Sequence, residues 1–252
     1  MLNPRTEEFI KRRELLTFHF GPDVLQDIGA ARDKEWLVTN GLGGFASSTV
    51  IGLNTRRYHG LLIASLHPPV QRRVLVNSID ETVILDGTAL ELGVHQYPGV
   101  IHPTGYTFQA SFDYHSYPLF SYEVGEARLT KAVWMDHGRN TTYVHYQLDG
   151  EKTVRLRLRP MLNDRDYHGL QWASDNPDRY IIRQEDFRLA VRSSPDGISY
   201  FIEWTEGSFH SESYWFYRTE YAVERERGLD FQEDLYSPGF VEVDLPPGTP
   251  LF

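Results

Sequence analysis

Phe120–Met135 reads FSYEVGEARLTKAVWM, with apolar and polar residues alternating along nearly its whole length. A period of two, rich in β-branched and aromatic residues, marks strand structure with one face buried and the other in water. Thr142–Leu148 (TYVHYQL) and Thr153–Leu158 (TVRLRL) repeat it. Half-buried strands of this kind pair antiparallel. Working outward, Asp86-Gly87, His137-Gly138-Arg139-Asn140, Asp149-Gly150 and Pro195-Asp196-Gly197 place turn chemistry between apolar runs, as hairpins require. From Trp36 onward this predicts about a dozen strands with no long helix between them. The expected fold is all-β, a large antiparallel two-sheet sandwich. Ahead of it, residues 6–16 (TEEFIKRRELL) have the spacing of a short helix, and Gly21-Pro22 and Gly29–Lys34 (GAARDK) read as loop. The chain therefore divides into a helical and loop segment, 1–34, and a sandwich domain, 35–252, with no internal repeat or linker.

Composition narrows the function. The 252 residues carry 25 basic and 35 acidic side chains, a formal charge of −10. Such a balance argues against nucleic acid and anionic membranes as partners. Folding a chain of this mass buries roughly 73% of its extended surface, enough for a core without staples. The absence of cysteine excludes disulfides, thiol catalysis and thiolate metal sites, and suits a reducing cytoplasm. The charged N-terminus is no signal peptide, and the apolar run Leu61–Ala64 falls far short of the ~20 residues of a membrane span. The expected protein is soluble and cytoplasmic. Val241–Phe252 (VEVDLPPGTPLF) ends on an apolar pair after a Pro-rich turn, which reads as a cut within a longer polypeptide. Aromatics are the compositional outlier, with 15 Tyr, 14 Phe and 5 Trp. Most fill a β core, and a surface surplus suits stacking on sugar rings.

Gly41-Leu42-Gly43-Gly44-Phe45-Ala46 matches G-x-G-x-x-A after the strand-like Trp36–Thr39. However, Ser47–Gly52 is β-like where a helix should begin, and residues 56–66 hold no acid for a ribose. The motif reads as a glycine-rich turn. The ten histidines show no metal-binding spacing, so neither metal nor cofactor is expected. Arg155, Arg157 and Arg159 share one strand face, a spacing that grips phosphate or simply meets solvent. The five carboxylates within Glu224–Asp234 (ERERGLDFQED) invite a glycosidase reading, but the interleaved arginines favour internal salt bridges.

Two clusters stand out. Asn54–Gly60 (NTRRYHG) precedes one apolar strand, and Asn163–Gly169 (NDRDYHG) follows another. Each combines bidentate donors, a planar amide and a stacking ring, the groups that a hydroxyl-rich ligand demands. An Arg–Asp network that only orders a loop would use the same residues.

Together with Glu35–Ala46 (EWLVTNGLGGFA), Arg159–His168 and Glu224–Asp230, Asn54–Leu62 closely resembles the N-terminal domain of bacterial and archaeal glycogen-debranching enzymes of the amylo-α-1,6-glucosidase type. The four motifs occur in the family's order and run through most of residues 35–240. The resemblance implies a β-supersandwich that precedes a helical (α/α)6 toroid, and the toroid holds the glucosidase carboxylates. This stretch would then be a non-catalytic part of an enzyme that removes the α-1,6-linked glucose at a trimmed branch. On that basis Arg56, Arg57, Tyr58 and His59, with Asn163, Arg165, Asp166 and His168, are expected to form one polar surface. Its partners would be the catalytic domain of the same polypeptide or an α-glucan such as glycogen or limit dextrin. The alternatives are a free-standing carbohydrate-binding module and a purely structural or interaction domain.

Overall fold

The structure is a computed structural model that describes residues 17–176, 178–193 and 197–252. The helix expected over residues 6–16 lies outside them, as do Pro195 and Asp196 of one expected turn.

Two antiparallel sheets dominate. Along the eight-stranded sheet, Ser208–Glu220, Gln232–Leu245, Val154–Asp166, Val70–Leu85, Gly60–His67, Phe45–Thr49 and Glu35–Thr39 are successive neighbours, and Thr88–Glu91 pairs with Val70–Leu85. The five-stranded sheet runs Phe18–Phe20, Gln109–Tyr114, Pro118–Val124, Ala127–Met135, Thr142–Asp149. A three-stranded sheet (Ile181–Glu185, Arg188–Arg192, Ser199–Glu203) and a hairpin (Val94–Tyr97, Val100–Thr104) complete the all-β sandwich. Among the described residues no helix is long and apolar enough to cross a membrane.

Alternation decides which side chains enter the core. On Val154–Asp166, Val154, Leu156 and Leu158 are buried while Arg155 and Arg157 face water. Leu129 and Leu148 of the five-stranded sheet are likewise fully buried, each contributing ~1.5–3 kcal/mol. The sheets meet where Trp36 sets its ring edge to Phe120 at 6.2 Å. They are also tied by charge. Buried Glu81 of the large sheet receives Lys131 Nζ at 2.6 Å and the Tyr146 hydroxyl at 2.5 Å, both from the small sheet. A carboxylate can sit at that depth only because both partners reach it.

Several expectations change in detail. Phe120–Met135 is a hairpin, with Val124 paired to Ala127 around Gly125 at φ 68°. Glycine first in a two-residue turn lets alternation continue across the reversal. Asp86 and Gly87, both at positive φ, make the expected tight turn between Leu85 and Thr88. Asp149-Gly150 is not a hairpin, because Thr142–Asp149 and Val154–Asp166 belong to different sheets and the turn carries the chain between them. Before Trp36, Phe18–Phe20 pairs with Gln109–Tyr114, and the segment read as loop begins with helical turns at Pro22–Leu25 and Ile28–Ala31. Asp27 starts the second by accepting from the Gly29 and Ala30 amides.

Candidate functional site

Asn54–His59 is the second part of the connection, residues 50–59, between strands Phe45–Thr49 and Gly60–His67. Within it, the His59 amide donates to Arg56 O at 3.0 Å, closing a turn. The Thr55 amide donates to His59 Nδ1 at 3.1 Å, which places the ring proton on Nε2, 3.4 Å from Glu35 Oε1. Burial pushes the His59 pKa down, so the imidazole is neutral. Burial works to raise the Glu35 pKa, but hydrogen bonds from His59 and Arg56 outweigh it and hold the carboxyl at about 2.

The second loop leaves Val154–Asp166 after a register shift against Val70–Leu85 between Leu162 and Arg165. Asp166 Oδ1 accepts from the His168 amide at 2.9 Å and Asp166 O from the Gly169 amide at 3.0 Å, so this turn is also self-closed.

The two loops are joined. Arg57 Nη1 donates to His168 O at 2.7 Å, and Arg165 Nη2 donates to Arg57 O at 2.8 Å. The Tyr58 hydroxyl lies 3.1 Å from His168 Nδ1, and the Tyr58 ring packs edge-on against Tyr167 at 5.4 Å. Arg72, from Val70–Leu85, lies over the Tyr167 ring and donates through Nε to Gly43 O at 2.5 Å. The glycine-rich turn therefore stands beside the same surface.

Beneath it runs a buried polar chain. Ser48 donates to Asn54 Oδ1 (2.7 Å), Asn54 to Asn77 Oδ1 (2.9 Å), and Asn77 to the Tyr221 hydroxyl (3.0 Å). Tyr221 in turn donates to Glu233. Arg165 grips the same carboxylate with two hydrogen bonds, Nε to Oε2 at 2.6 Å and Nη2 to Oε1 at 2.9 Å. Every donor points toward the carboxylate, an arrangement in which each bond polarises the next. Burial alone would lower the Arg165 pKa, but Glu233 more than compensates and raises it, so the guanidinium stays charged.

Each residue expected in the polar surface thus has a definite place. His59 and Arg165 are buried and form its base, whereas Asn163, expected with them, is fully buried and its side-chain amide makes no hydrogen bond to either loop. Arg56, Arg57 and Tyr58 are half-buried, while Asp166 and His168 are exposed. Glu233, Tyr221, Asn77 and Arg72 belong to the assembly, although only Glu233 carried a signal, through the acidic stretch Glu224–Asp234. That stretch is ion-paired, but mostly to arginines outside it rather than to its own interleaved ones. Glu224 meets Arg57 at 3.3 Å and Arg227 at 3.5 Å, Glu226 meets Arg32 at 3.1 Å, and Glu233 meets Arg165. Arg155, Arg157 and Arg159 are likewise paired, with Asp244, Glu242 and Glu212.

The glycine motif is explained by packing. Asn40 Oδ1 accepts from the Leu42 and Gly44 amides, and its Nδ2 donates to Arg139 O and Asn140 Oδ1, which uses its full hydrogen-bonding capacity. Gly43 sits at φ 95°, and a Cβ there would lie 2.8 Å from Pro69 O. Among the described residues no group of three or more His, Asp or Glu side chains is placed to hold a metal ion.

A family model described as "Glycogen debranching enzyme N terminal" matches residues 34–252. Among curated proteins nothing matches the chain.

Proposed function

The chain belongs to the family of glycogen debranching enzyme N-terminal domains, and from that premise we propose that it is the non-catalytic part of an amylo-α-1,6-glucosidase, packing against the catalytic domain and helping to guide the α-glucan. One observation carries this reading. Two loops more than a hundred residues apart close on each other through Arg57, Tyr58, Arg165 and His168, leaving a rim of half-buried Tyr58 and Tyr167 and exposed Asp166 and His168 over a buried ionic base. Rings beside fixed donors and acceptors suit both sugar hydroxyls and the polar rim of a domain interface. In this reading the arginines and the buried Glu233 position the rim, and the bond-breaking carboxylates belong to the catalytic domain. The proposed setting is cytoplasmic.

The test uses the debranching enzyme containing this domain, with Tyr58→Ala and His168→Ala compared on a limit dextrin. Guiding predicts KM raised about tenfold with kcat retained, since the lost contacts hold ground and transition states alike. Kinetics identical to wild type, with only a lower Tm, would leave the surface a purely structural role.

A further inference from the structure

We propose that the outer face of the five-stranded sheet carries a second, separate glucan contact, a stacking platform built from Tyr117, Trp134, Tyr143, His145 and Phe252. This inference rests on α-glucan being the substrate class, and it names where on the isolated domain the chain is held.

Strand register puts the rings in two adjacent rows. Trp134 pairs with Tyr143, and the pairing of Leu119 with Ala132 carries Tyr117 to the other side of Trp134. Ring centroids lie 5.7 Å apart for Tyr117 and Trp134 and 5.6 Å apart for Trp134 and Tyr143. In the next row His145 pairs with Ala132, and the bridge from Tyr146 to Leu251 brings Phe252 to His145 at 4.8 Å. Tyr117, Tyr143 and Phe252 are exposed at 43%, 39% and 42%. Scattered surface aromatics need no explanation, whereas contiguous rings on a solvated sheet face do.

The remaining rows of this face indicate what the rings accept. Beyond the aromatic rows come Ser121, Thr130 and Gln147, which are uncharged, and only after them Glu123, Arg128 and Asp149. On the three strands that carry the rings, no formally charged side chain thus falls in either aromatic row or in the hydrogen-bonding row beside them; Asp113, further along the second row beyond Leu119, is held by His19 at 2.7 Å and by the Ser111 hydroxyl at 2.9 Å. His145 adds none at neutral pH, because burial lowers its pKa. A protein of net charge −10 that keeps these rows of the ring-bearing strands uncharged presents them to a neutral ligand. Rings with adjacent hydroxyl and amide groups match a sugar, whose C–H faces stack while its hydroxyls hydrogen-bond. The platform starts three residues from Asn140, the partner of Asn40 in the glycine-rich turn.

The 252-residue chain would be titrated calorimetrically with maltoheptaose, as wild type and as Trp134→Ala, Tyr143→Ala, Trp134→Tyr and Tyr58→Ala. Trp134→Ala and Tyr143→Ala are each expected to weaken binding about tenfold, the usual cost of truncating an anchoring aromatic. Trp134→Tyr should retain most of the affinity, and Tyr58→Ala should keep binding to the platform. Tyr143 is exposed, so its variant reports binding even if Trp134→Ala fails to fold. Wild-type affinity in both alanine variants overturns the platform while leaving glucan guiding by the rim in place. No binding by the wild type removes both the platform and the guiding half of the proposed function. A concentration-dependent dimer that Trp134→Ala dissociates would show a second copy as the occupant and also overturn the proposal.

Discussion

Replacing Arg165 by Met tests whether the surface is built on a desolvated ion pair. The two side chains are 4% and 0% exposed and joined by two hydrogen bonds, so the substitution keeps volume but leaves Glu233 buried without its cationic partner. The Tyr221 hydroxyl and the Gln171 amide at 3.1 Å remain as its partners. Breaking a buried pair from one side costs about 3–5 kcal/mol. For 252 residues the unfolding entropy is roughly 0.5 kcal/mol/K, so Tm should fall by about 6–9 °C. Denaturant titration and calorimetry would read both quantities. Glu233→Gln keeps an acceptor for Tyr221, and the double variant Arg165→Met/Glu233→Gln buries no net charge. Its cost should therefore fall about 2–3 kcal/mol short of the sum of the single variants. Strict additivity, or a loss under about 1 kcal/mol for Arg165→Met, would refute a water-excluded pair and with it the buried ionic base.

Glu35 titrates near 2 against its usual 4.5, so its contribution is complete above pH 4.5 and disappears as pH falls toward 2; Glu35→Gln should flatten that limb of an acid unfolding curve. His95 is opposite in sign: burial lowers its pKa, but Asp80, within 2.8–2.9 Å through both oxygens, and Glu81 raise it above 6.5. Its stabilisation is full below pH 6.5 and lost as pH rises through the raised value, so the advantage of wild type over His95→Gln should shrink between pH 6 and pH 9 in urea midpoints. Gly43→Ala places a Cβ at φ 95° and 2.8 Å from Pro69 O, and should cost about 1–3 kcal/mol in thermal unfolding; a neutral result would mean the turn relaxes freely.

The sandwich was legible because its signal is local. Val154, Leu156 and Leu158 announce their buried side through spacing alone, and Asp86-Gly87 announces its turn through residue type. The reversal at Gly125 was hidden, since a two-residue turn preserves the alternation around it. Asp149-Gly150 misled for the converse reason: turn chemistry marks a reversal but not which sheet the next strand joins. The seventeen strands described from Glu35 onward exceed the dozen expected because pieces such as Thr88–Glu91 and Val94–Tyr97 are too short to show a period. In the candidate site, both loops stood out by composition, but Asn77 and Tyr221 did not. Their role depends on a chain of contacts spanning up to 144 residues, which no local window contains.

The acidic stretch shows why the surface needs so much hidden polarity. Glu224 fixes Arg57, Glu233 fixes Arg165, and Asp234 accepts from the Ala173 and Arg218 amides. The Val223 amide adds a further tie, donating to Thr55 O at 3.0 Å. Each anchor holds a different segment, and the contacts of Tyr58 with Tyr167 and His168 are made on that base. Stability alone does not account for such a base, since buried ion pairs are often no better than apolar packing of the same volume. Ordering does account for it. A ligand or domain settling on rings already held in place loses little side-chain freedom on contact, and that saving appears directly as affinity.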